Sequence, residues 1–80
     1  MRLDKYLKLS RLIKRRSVAD DACCAGKIFV NGKSAKSAYN VKVGDEITIR
    51  LGQTHVNVIV LSIKVPAGKE EAALMYRLIK

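Results

Sequence analysis

Gly26-Lys27-Ile28-Phe29-Val30-Asn31-Gly32-Lys33 is the stretch where the hydrophobic period of this 80-residue chain changes, and its reading decides the fold. Residues 28–30 read as a strand, and Asn31-Gly32 carries the positive-φ preference of a two-residue hairpin turn. The return arm, residues 33–36, is short and polar. Just upstream, Gly26 is placed as the left-handed residue that ends a helix.

Further upstream the pattern is helical. Ser17 is positioned as the N-cap of a second helix, with Asp20 three residues on as in a capping box. Asp20 and Asp21 would then occupy the first turn, where the helix dipole favours negative charge. Val18, Ala22 and Ala25, with Ala19 and Cys23 beside them, offer a narrow face of small residues. At the start of the chain, Leu3, Tyr6 and Leu7 share one face of a first helix while Lys5 and Lys8 point elsewhere. Asp4 precedes Lys8 by four residues, the favourable order for a helical ion pair. Ser10 and Arg11 loosen this helix and Leu12 and Ile13 dip back toward the core. Lys14, Arg15 and Arg16 follow as an unbroken cationic run.

Downstream the period is two. Val41 and Val43 precede a Gly44-Asp45 turn, and residues 46–51 alternate with Ile47, Ile49 and Leu51 facing inward. Gly52-Gln53-Thr54 turns the chain into the longest strand, 55–64. Pro66-Ala67-Gly68 breaks that pattern. Residues 69–80, rich in Ala, Leu, Met, Glu and Lys, predict a helix with apolar pairs Leu74/Leu78 and Met75/Ile79. The expected fold is α+β: an N-terminal helical pair on a small, mostly antiparallel, twisted sheet, plus a C-terminal helix. Residues 1–64 form the domain and 65–80 a helical extension of it.

Composition bounds the function. Eighty residues make one domain, and 49% hydrophobic content suffices for one core. Aromatic residues are scarce (Tyr6, Phe29, Tyr39 and Tyr76), so stacking on bases is not the main binding mode. The net charge of +9 favours a polyanionic partner. It is concentrated at one end, since residues 1–36 carry ten basic and three acidic side chains, against six and four in the remainder. No stretch reaches the roughly 18 apolar residues of a membrane span. The adjacent Cys23 and Cys24 have no separated partner, which suits a reducing cytoplasm. Adjacent cysteines on a helix point apart, so these two and His55 do not suit a metal site. One histidine, no phosphate-binding glycine loop and no paired acids leave little for catalysis, so no enzyme and no cofactor are expected.

Arg2-Leu3-Asp4 opening a helix, Arg16 at the head of the next, and Gly26-x-x-x-Val30-Asn31-Gly32 resemble the S4 RNA-binding domain, or alpha-L motif, in order and spacing. Val43-Gly44-Asp45-Glu46 followed by Glu70-Glu71-Ala72-Ala73-x-Met75-Tyr76 is similar to the stand-alone S4 proteins of the heat-shock-protein-fifteen family, their small RqcP type above all. The resemblance spans essentially the whole chain. It implies a ribosome quality-control factor that binds large-subunit rRNA and tRNA on stalled, split ribosomes. It also implies support for alanine tailing of the nascent chain, alongside a tailing factor. Such a protein would be cytoplasmic, free of membranes, and monomeric off the ribosome. Two alternatives stay open: an accessory module of an rRNA-modifying enzyme, or a general nucleic-acid-binding protein. The Met1 start and the apolar face of the tail favour a complete protein over a detached module.

The candidate RNA contacts are Arg2, Lys5, Lys8, Arg11, Lys14, Arg15 and Arg16, seven cations within sixteen residues against one acid. Folded RNA presents phosphates in fixed geometry, which several positioned cations can match, and the arginine fork grips phosphate with two bonds. Lys27 and Lys33 flank the hairpin and extend the patch. Asp4 supports Lys8 or orients a neighbouring arginine, with a ribose 2′-OH contact as the lesser reading. Tyr39 fills a gap or stacks on a base. Many S4 relatives carry a further basic residue where this chain has Asp20 and Asp21, so the exposed face of the second helix is a poorer phosphate ligand.

Overall fold

The computed structural model describes residues 1–79. Two helices, α1 (Leu3–Leu9) and α2 (Arg16–Cys24), precede strands β1 (Ile28–Val30), β2 (Lys33–Ser34), β3 (Glu46–Leu51) and β4 (Thr54–Val60). A short α3 (Lys69–Ala73) and strand β5 (Tyr76–Leu78) complete the order. The five strands form one sheet in the order β2-β1-β3-β4-β5, with antiparallel neighbours throughout.

The period-two segments bury alternate residues as their pattern requires. Ile28, Val30, Ile47, Ile49, Val58 and Val60 are buried on one face of the sheet. Leu3, Tyr6 and Leu7 of α1 and Ala19, Ala22 and Cys23 of α2 join them in a single core. Full burial of each large aliphatic side chain contributes about 1.5–3 kcal/mol. Small residues on α2 let its backbone approach α1 closely. Its buried face is Ala19, Ala22 and Cys23, whereas Val18 and Ala25, expected inside, are exposed.

Asn31 and Gly32 have φ of 53° and 84°, and Val30 pairs with Lys33, so this is a two-residue turn whose central residues are both left-handed. The α2 C-terminus closes with the Gly26 N–H on the Cys23 carbonyl and the Lys27 N–H on the Ala22 carbonyl, the paired bonds of a glycine-terminated helix. That closure needs Gly26 at φ 73°.

Three expectations are corrected. Ser17 does not cap α2: the extended residue before the helix is Arg15, and Arg16 is its first helical residue. The first turn therefore holds no acid, and Asp20 and Asp21 fall beyond it. Starting there brings Arg16 against Asp4, a tertiary contact that local capping preference does not register.

The longest strand ends at Val60 rather than residue 64. The N–H groups of Leu61 and Ser62 both turn to the Met75 carbonyl, at 2.8 and 3.2 Å, which takes the chain out of the ladder.

The tail helix stops at Ala73, and Tyr76–Leu78 add a fifth strand beside β4 in the register Val58↔Leu78, Ile59↔Arg77, Val60↔Tyr76. Helix propensity there is weak currency: a segment of this length is marginal alone, and the open edge of β4 offers its backbone a ladder. Met75 is buried, whereas Leu74, Leu78 and Ile79 are exposed, so the expected apolar pairs do not form. Lys80 of the expected helix lies outside the described residues.

Candidate nucleic-acid interface

The chain start is clamped before α1 begins. Arg2 bridges Asn40, the Val41 N–H donates to the Met1 carbonyl, and the terminal amine donates to the Asn40 side chain at 2.8 Å. The first N–H groups of α1, on Leu3 and Asp4, donate to the carbonyls of Tyr39 and Ser37. A neighbouring segment thus satisfies groups that a helix start leaves open.

That segment is itself held by Asp45, which is almost wholly buried. Its carboxylate accepts from the Asn31 amide at 3.1 Å, the Tyr39 hydroxyl at 3.0 Å and the Lys42 N–H at 3.0 Å. The Asn31 side-chain oxygen also accepts from the Glu46 N–H at 3.0 Å. Asn31 and Asp45 of the sequence motifs are therefore scaffold residues that hold the hairpin and the α1 start together. Tyr39 is half-buried with its hydroxyl engaged, so it fills a gap and belongs to this frame.

On that frame sits the main cluster. The Asp4 side chain is 4% exposed and lies between the guanidiniums of two arginine side chains that are each 52% exposed. Arg2 donates through Nε at 3.1 Å and Nη2 at 3.3 Å, Arg16 through Nε at 3.4 Å, and the Lys5 N–H at 2.8 Å. Burial alone would raise the Asp4 pKa; the bonds from Arg2, the Lys5 N–H and Arg16 outweigh it and hold the carboxyl below its ordinary value. Of the two structural roles expected for Asp4, the structure selects the orientation of arginine. One carboxylate thus fixes the arginine that precedes α1 and the first residue of α2, with about half of each arginine side chain still open to solvent.

The remaining cations divide. Lys8, Arg11 and Lys14 surround one groove, joined there by Lys69 from α3. Lys5 and Arg15 are exposed beside the Asp4 cluster in sequence. Lys33 lines a separate hollow with Lys36 and Tyr39, and Lys27 follows the end of α2. Among the described residues, no ion pair or hydrogen bond joins Lys27 or Lys33 to the Asp4 cluster. Lys69 was missed by sequence reasoning, and no local signal marks it, because only the packing of the tail brings it to α1.

Cys23 is buried among the helices and burial pushes its thiol up to about 11, while Cys24 is exposed. His55 is exposed on β4, opposite Arg50. Among the described residues, no helix is long and apolar enough to cross a membrane.

Comparison with known proteins bears on the family and the fold. The S4 domain family matches residues 1–47. The RQC P-site tRNA stabilizing factor of Bacillus subtilis is 52% identical over 80 residues, covering 100% of this chain and 93% of that protein. Its namesake from Streptococcus pneumoniae is 52% identical over 79 residues, covering 99% and 90%. Among solved structures, Heat Shock Protein 15 of Vibrio cholerae superposes with a TM-score of 0.89 at 37% identity, covering 98% of this chain and 80% of that one.

Proposed function

The chain belongs to the S4 domain family, among the RQC P-site tRNA stabilizing factors, and from that membership we propose that it is a non-catalytic RNA-binding factor of ribosome quality control. It docks on the large subunit of stalled, split ribosomes, contacts rRNA and the P-site tRNA, and supports alanine tailing of the nascent chain. It works in the cytoplasm and is a monomer before docking.

The observation that carries this reading is the pairing of Arg2 and Arg16 by the buried Asp4. Two forks held at a fixed separation by one carboxylate suit the regular phosphate spacing of a folded RNA helix, where shape and backbone are read before bases. The exposed cations from Lys5 to Arg15 add electrostatic affinity around them.

The test is co-sedimentation with purified large subunits carrying P-site tRNA, with duplex DNA as competitor at matched salt. Arg2→Ala and Arg16→Ala should each weaken binding about tenfold while the protein stays folded, with a somewhat lower melting temperature because Asp4 loses part of its pairing. Arg→Lys should restore only part, since charge returns without the fork. Equal binding to duplex DNA, or parental binding by both alanine variants, refutes the reading.

A further inference from the structure

Resting on that reading and extending it, we infer that Lys69 is part of the RNA interface: with Lys8, Arg11 and Lys14 it forms a second phosphate-binding groove that takes the backbone of another RNA segment.

Four cations from two distant parts of the chain line this groove of about 420 Å³, and no acidic residue does. Among the described residues the ion pairs are those of Asp4 with Arg2 and Arg16, so none of the four is neutralised by a carboxylate. Glu70 and Glu71, next along the chain, line a different hollow that Lys69 also borders, and Glu71 accepts from the Ala67 N–H. Positive charges converging on a concave surface repel one another, and a polyanion is the partner that relieves this.

The backbone supplies an independent sign. Arg11 stands at φ 64°, where its N–H closes the end of α1 on the Lys8 carbonyl. A glycine would take that conformation without strain, whereas a side chain there is costly. An arginine kept at such a position, and lining this groove, points to use of its guanidinium.

The occupant is an RNA backbone rather than a lone anion, because four cations lining one groove match a run of phosphates better than a single one. Asp4 and Lys8 lie one helical turn apart on α1, so the groove continues the Asp4 cluster along the same helix. The two points of attachment thus lie at successive turns of α1, one about Asp4 and one about Lys8.

The experiment uses the full chain and large subunits carrying P-site tRNA, titrated at several KCl concentrations. Lys69→Gln should weaken binding about fivefold and make the log–log salt slope shallower by about 0.7–0.9. Lys69→Arg, which keeps the charge, should recover most of the affinity that Lys69→Gln loses, Arg77→Gln on β5 should bind like the parent, and all melting curves should coincide. If Lys69→Gln binds like the parent while Arg2→Ala is weakened, this inference fails and the functional reading stands. If Lys69→Gln is weakened and Arg2→Ala is not, the groove stands and the Asp4 cluster is misassigned. Equal weakening by Lys69→Gln and Arg77→Gln would reveal only the effect of net charge and overturn the groove.

Discussion

The Tyr6 hydroxyl donates to the Met75 carbonyl at 2.6 Å inside the core, joining the first helix to the tail across 69 residues of chain. That carbonyl also accepts from the Leu61 and Ser62 N–H groups, so one oxygen fixes the exit of β4, the start of β5 and the face of α1. Burial holds the Tyr6 phenol far above its ordinary pKa, so it remains a donor at any physiological pH.

Tyr6→Phe removes this donor while the carbonyl keeps two others. The expected cost is about 1 kcal/mol, read as a lower urea midpoint at unchanged slope. Amide exchange should accelerate first at Tyr76–Leu78, the strand that the bond anchors.

Asp4→Asn makes the protein more positive by one charge. A purely electrostatic view predicts tighter RNA binding. The geometry predicts the reverse, because the asparagine holds neither guanidinium as a carboxylate does. Binding to large subunits should fall about tenfold, and affinity equal to or above the parent's would show that Asp4 does not organise the site.

Arg11→Gly separates stability from function. Relief of the left-handed backbone should leave the melting temperature unchanged or raise stability by up to about 1 kcal/mol. Affinity for RNA should fall nonetheless, about fivefold at moderate salt. A destabilised variant with parental affinity would contradict both halves.

Acid should unfold the protein through Asp4 and Asp45. Burial would raise the Asp45 carboxyl, but bonds from the Lys42 N–H, Asn31 and Tyr39 outweigh it, and both acids sit below their ordinary values. Folding stability from depressed carboxyls is complete above the unfolded value of about 3.9 and is lost as pH falls through the folded values. The melting temperature should therefore be level from about pH 5 to 7 and drop below about pH 4. Asp45→Asn should lower the plateau and flatten that drop.

The two cysteines should behave as opposites. With its thiol buried and pushed up to about 11, Cys23 should resist alkylation in the native state, while the exposed Cys24 reacts. Replacing both by alanine should cost about 1–2 kcal/mol, nearly all from Cys23, and leave RNA binding intact.

Local chemistry made several features legible. Asn31-Gly32 announces its turn because few residues accept two successive positive φ values. Alternation in 46–51 marks β3, since a half-buried strand needs that period. Gly26 marks the end of α2 for the same reason of backbone sterics. Arg2 and Arg16 stood out through their motif, and Asp4 through its place between cations, though its partner did not.

The rest needed the folded chain. Ser17 has the right side chain for a cap, but the helix begins earlier, with Arg16 against Asp4. Residues 76–78 carry helical composition yet form a strand, because the free edge of β4 outweighs propensities of a few tenths of a kcal/mol per residue.

Spacing along the chain thus determined the helical pair, the hairpin, the alternating strands and the basic N-terminal half, all of which depend on neighbours within a few residues. Tertiary structure decided the fifth strand, the choice of arginines over Lys8 as partners of Asp4, and the arrival of Lys69 beside Arg11. The fifth strand, the Arg16–Asp4 pair and the groove shared by Lys69 and Arg11 each bring together groups far apart in sequence. Their energies depend on burial and distance in the folded state, and residue order encodes neither until the core has formed.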